Sequence, residues 1–125
     1  MENLSTCTIE EFMKAVTKIR PLFTEWVKKT EANDPRESVT EDMTRAERLQ
    51  AIEAALGRIM VSAFEKAPDL TRELLCLATF TPPDEFNAYT LKEYYDAAIA
   101  MYNNDAVRSF FTSFVAQNPA TSSKP

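Results

Sequence analysis

The chain has 125 residues, enough for one domain, and its hydrophobic and charged shares of 45% and 26% are ordinary globular values. One Gly stands against seven Pro, there is no His, and the formal net charge is −5. Sheet proteins of this size spend many Gly on tight turns, and an acidic chain is repelled by phosphate backbones and anionic lipid, so the composition points to helices joined at Pro and Asp and away from nucleic-acid or membrane partners.

The first helix is expected to open at Thr8, where Thr8 and Glu11 form a capping box. Its apolar stripe runs Ile9, Phe12, Val16, Ile19, Phe23, Trp26 and Val27, three or four residues apart. Pro21 lies inside that stripe and lacks an amide proton, so the helix is expected to kink or restart there. Residues 31–43 are polar and acidic, contain Pro35, and read as a mobile loop. A second capping box, Thr44 to Glu47, opens a helix with the stripe Leu49, Ile52, Leu56, Ile59, Met60, Ala63 and Phe64, ended by Pro68. Gly57 in that helix fits either a close helix crossing or a weak spot costing roughly 1 kcal/mol relative to Ala.

Asp69 is the expected cap of a short helix carrying Leu70, Leu74, Leu75, Leu77 and Ala78, apolar on most sides and therefore central. Residues 81–84 break the chain. A third capping box, Thr90 to Glu93, opens a helix whose inward face reads Leu91, Tyr95, Ala98 and Tyr102. Asp105 is the expected cap of the last helix, with Val107, Phe110, Phe111, Phe114 and Val115 as its stripe. The expected fold is all-α: a compact bundle of about five helices over residues 1–117, followed by a disordered tail at 118–125 with nothing apolar to pack.

Catalytic chemistry finds little footing. The commonest general base and metal ligand is missing with His, Cys7 and Cys76 have no imidazole to activate them, and there is no Gly-rich phosphate loop. The carboxylate pairs at Glu10–Glu11, Glu41–Asp42 and Asp84–Glu85 suit helix starts and solvated loops. The expectation is a protein that is not an enzyme and uses no cofactor or metal. The two isolated Cys read as reduced thiols, the start lacks a signal-peptide pattern, and no apolar run nears the ~18 residues of a membrane span. Together these suggest the cytoplasm.

Aromatic residues crowd the last third of the chain, and two pairs, Tyr94–Tyr95 and Phe110–Phe111, are adjacent. Neighbouring helical side chains point about 100° apart, so one ring of each pair is expected near the surface. On the face given above, Tyr94 is the outer ring of the first pair. An exposed aromatic patch with the acidic rim of Asp84, Glu85, Glu93, Asp96 and Asp105 suits docking of a partner with basic and apolar character. The candidate protein-binding residues are Tyr94, Phe110, Phe111 and, beyond Pro21, Trp26.

The order of segments resembles a known family. Residues 9–12 and 18–22 before a variable polar loop, 67–75 at the end of a long helix, and 94–105 with Val107–Phe111 are similar to tail assembly chaperones of siphophages infecting Gram-positive bacteria. The resemblance covers about residues 9–116. It implies binding of the tape measure protein, which is kept soluble, and recruitment of tail-tube subunits during tail morphogenesis in the bacterial host cytoplasm. Homo-oligomers fit such a role, and the family commonly makes a longer form by frameshifting near the end of the gene. The alternative from another class is a small acidic inhibitor or adaptor that blocks one host protein; a structural subunit is a third.

Overall fold

Three of the five α-helices among the described residues begin on the same local chemistry. At Thr8, Thr44 and Thr90 the hydroxyl accepts the amide of the residue three on, and the Glu there reaches back to the threonine amide. Each box satisfies two amides that would otherwise lack partners. The computed structural model describes residues 1–116, with no side-chain description beyond Thr112. The expected tail at 118–125, and the side chains of Phe114 and Val115, lie outside the described residues.

The helices are α1 (Ile9–Thr30), α2 (Arg45–Lys66), α3 (Pro68–Ala78), α4 (Leu91–Asn103) and α5 (Asp105–Ala116), with 3-10 turns at Pro35–Ser38 and Pro83–Ala88. Among the described residues there is no strand, so the fold is all-α. No described helix is long and apolar enough to cross a membrane. α3 packs on α1 and α2, α2 also lies against α4, and α5 closes the bundle against α4 and α1. The core joins Ala15 and Ile19 of α1 to Ala78, Ala97, Met101 and Val107, and Leu4 of the N-terminal segment is buried in the same cluster.

α1 runs as one helical span across Pro21, whose ring is exposed. The bond it removes is therefore lost on the wet side, where water can take the freed carbonyl. The chain bends at residues 31–34. Glu31 takes a left-handed backbone (φ 55°) at the end of α1, and its amide bonds the Val27 carbonyl.

Two expected caps shift by one position. Asp69 is not the cap of α3: Pro68 occupies the first helical position, Ala67 is the cap residue, and no side chain bonds there. Proline suits that position because its φ is preset and its missing amide was an orphan anyway. At α5 the capping oxygen belongs to Asn104, which accepts from the Val107 amide at 3.1 Å. Asp105 begins the helix and pairs instead with Arg108.

Residues 31–43 were expected to be a mobile loop, but they hold the turn at Pro35–Ser38, which packs on α2 with Pro35 buried. Gly57 faces Tyr95 of α4, and a β-carbon there would meet the ring at 3.6 Å, an ordinary contact. The crossing therefore has room for a methyl group, and Gly57 is a weak spot rather than a steric necessity.

Candidate functional site: an apolar cavity between the helices

The expected docking rings separate into two clusters. Tyr94 is not the outer ring of its pair: it is 2% exposed, stacks on Phe86 with centroids 4.7 Å apart, and meets Tyr89 edge-on at 6.0 Å. Its hydroxyl donates to the Phe86 carbonyl at 2.6 Å, and burial raises its phenol pKa above the ordinary value. The buried stripe of α4 is Tyr94, Ala97 and Met101, rotated by one position from the expected face. Leu91, which set the expected phase, is 57% exposed. Tyr95 is the half-buried ring, and its hydroxyl donates to the Glu53 carbonyl of α2.

Phe110, Phe111 and Trp26 gather along α1 at the opposite end of the aromatic set. Phe110 meets Phe12 edge-on at 5.9 Å and lies under the Arg20 guanidinium at 5.6 Å. Phe111 packs on Phe23 at 4.8 Å, and Phe23 stacks on Trp26 at 5.6 Å. Both phenylalanines are half-buried, so neither is the free outer ring that adjacency suggested. They hold α5 to α1. Trp26 also ties three helices: its indole N–H donates to Thr71 Oγ1 at 2.9 Å, and Thr71 donates to the Ala63 carbonyl at 3.1 Å.

Trp26, Phe23 and Phe111 form one wall of a partly open cavity of about 550 Å³. Leu56, Ile59 and Met60 of α2, Leu74, Leu75 and Ala78 of α3, and Ala98 and Met101 of α4 also line it. Protein interiors are packed with few voids larger than a water molecule, whereas ligand-sized clefts run from roughly 300 to 1,000 Å³. The opening is in the second class. It exists because α2 buries only Ala55 and Ala63 fully; its larger apolar residues reach the space without filling it.

Four polar groups at the edge, Asp34, Arg36, Tyr102 and Arg108, are bonded to one another. Tyr102 donates to Asp34 Oδ1 at 2.7 Å, and Arg36 grips the same carboxylate through its backbone amide at 2.9 Å and Nη2 at 2.8 Å. Burial opposes charge on Asp34, but these hydrogen bonds from Arg36 and Tyr102 outweigh it and hold the carboxyl below its ordinary pKa. Burial, then the bond to Asp34 and its charge, push the Tyr102 phenol upward. Arg108 pairs with Asp105, donates to the Tyr102 carbonyl at 3.0 Å and lies over the Tyr102 ring. Thr112 donates to the Arg108 carbonyl. Every described buried side-chain polar atom has a partner.

A second, more polar cavity of about 440 Å³ shares residues 32–35 with the first and is also lined by Arg58, Ser62 and Lys66 of α2 and by Glu31 and Glu37. Cys7 is half-buried and Cys76 buried; both are free thiols, with burial raising each pKa. Among the described residues no three His, Cys, Asp or Glu side chains cluster as a metal site.

No family model, curated protein or solved structure matches the chain.

Asp34, Tyr102 and the cavity were not anticipated as a site. Tyr102 carried the only signal, as an inward aromatic on α4. Asp34 sits in a polar run where nothing sets it apart from its neighbours.

Proposed function

We propose that the protein is a binding protein for apolar helical segments, acting as a phage tail assembly chaperone that keeps the tape measure protein soluble and helps recruit tail-tube subunits in the host cytoplasm. The observation that carries this reading is the cavity of about 550 Å³, lined mainly by apolar side chains from all five described helices, with Asp34, Arg36, Tyr102 and Arg108 at its edge bonded to one another. A catalytic pocket keeps reactive groups uncommitted at its surface; a cavity without them suits apolar side chains, which require shape and dryness but no hydrogen-bond partner. The resemblance over residues 9–116 supports the same reading. A tape measure protein is long and helical, and its exposed apolar seams would self-associate unless covered.

Co-expression with a siphophage tape measure protein tests the proposal. The client is expected to move from the insoluble to the soluble fraction and to co-purify with the chain. If the client aggregates equally with and without it, and no complex is recovered, the chaperone reading falls.

A further inference from the structure

The lining of the larger cavity comes from all five described helices and from residues 32–36, so the space lies within the bundle and not on one exposed helix face. Three of its rings, Phe23, Trp26 and Phe111, pack on one another in a row, and the thioethers of Met60 and Met101 line it too. Methionine adapts its shape to a neighbour and makes favourable contacts with aromatic rings. Water has little hold on such walls, because a bound water needs about two to four polar partners. The charges at the edge cancel in pairs, Arg36 with Asp34 and Arg108 with Asp105. Tyr102 is bonded to Asp34, Thr112 to the Arg108 carbonyl and the Trp26 N–H to Thr71. Among the described residues, that leaves Asn33 as the polar lining side chain with no hydrogen bond.

We infer that this cavity is a binding site for a neutral, largely apolar small molecule of roughly two or three rings, carrying at most one hydrogen-bonding group, which Asn33 serves. Volume sets the size. A dry apolar cavity of about 150 Å³ is enough to hold benzene, and this one, at about 550 Å³, is more than three times larger. Rings suit its walls, because aromatic pairs gain from offset and edge-on contacts beyond the area they bury. The edge sets the charge. An ionic ligand would give up its water and would have to break one of the two ion pairs to gain a partner. A neutral ligand disturbs neither. The ligand fills the space offered to a client's apolar side chains, so the two compete; that consequence rests on the role proposed above, whereas the site itself does not.

The test uses the full chain and two dyes, with no tape measure protein present. N-phenyl-1-naphthylamine is neutral and has three rings and a single N–H; 8-anilinonaphthalene-1-sulfonate has the same skeleton with a negative charge added. Calorimetric and fluorescence titrations are expected to show saturable binding of one neutral dye per chain, with the sulfonate at least about tenfold weaker. Methyl NMR of the methionines locates the site without any mutation. Met60 and Met101 line the cavity, whereas Met13 and Met43 do not, so ring-current shifts should move the first two signals and leave the second two in place. Ala98→Phe places a ring in the space and is expected to lower affinity for the neutral dye about tenfold or more without lowering Tm. Absence of saturable binding overturns the inference, as does binding that leaves the Met60 and Met101 signals unmoved. Equal affinity for the sulfonate, or unchanged affinity in a folded Ala98→Phe chain, overturns it too. A chain that solubilises the tape measure protein yet binds no dye would refute this site alone. One that binds the neutral dye as described yet leaves that client insoluble would refute the chaperone reading alone.

Discussion

Replacing Gly57 with Ala is expected to stabilise the protein. The site lies in the interior of α2 with ordinary helical geometry, so the glycine gives its unfolded chain freedom that folding must remove. In helix interiors that difference is about 0.8–1.0 kcal/mol in favour of Ala. The added methyl carbon would lie 3.6 Å from Tyr95 Cε1, 3.9 Å from its hydroxyl oxygen and 4.0 Å from Cζ. Contacts at such distances contribute about 0.1–0.2 kcal/mol each, so sterics add a little and subtract nothing. The expected gain is about 1 kcal/mol, a rise of roughly 3–5 °C in Tm for a domain of this size. Thermal melts followed by circular dichroism measure it. Repeating the substitution in a Tyr95→Ala background separates the two terms, because the helix-propensity gain should survive without the ring. A fall in Tm for Gly57→Ala would show that α2 and α4 cross more tightly than the contact distances allow, and the reasoning would fail.

Two further outcomes follow from the packing and the charges. Tyr94→Ala should cost about 3–5 kcal/mol, as expected for a buried ring stacked on Phe86, whereas Tyr95→Ala should cost clearly less because its ring is half-buried; denaturant melts showing equal losses would contradict the α4 face described above. The Asp34 carboxyl has a folded pKa below its ordinary value, so its contribution to stability is present above the unfolded pKa and is lost as pH falls through the folded one. The stability difference between the wild type and Asp34→Asn should therefore be constant near neutral pH and shrink below the ordinary carboxylate range; a difference that grows with acidity would reverse the assigned sign.

Helix starts were legible because their chemistry is local. Thr8, Thr44 and Thr90 each carry the whole signal within four residues, and all three boxes form. The misplaced caps are also local events, decided by Pro68 and Asn104, neighbours that outcompete the acidic residue beside them. The face of α4 was not legible, because its phase depends on a distant partner. Phe86, delivered by the turn at Pro83–Ala88, clamps Tyr94 inward, while Leu91 sits in a first turn left exposed. Ile9 shows the same end effect in α1, lying in the expected stripe yet 82% exposed. The pairing of Asp34 with Tyr102 joins positions 68 apart, and no periodicity encodes it. Least legible was the cavity, since a stripe of apolar residues reveals which side of a helix turns inward but not how far it stands from its neighbours.

Trp26 is the one tryptophan of the chain, and its indole lies on the cavity wall with its N–H anchored to Thr71. The ring is held at a fixed orientation while one side faces the open space. Its emission therefore reports on whether that space holds water or carbon. Occupation by apolar side chains should shift the emission to shorter wavelength without any label, and loss of the anchor on unfolding should shift it the other way. The same photophysical signal thus distinguishes a filled protein, an empty one and a denatured one in a single titration.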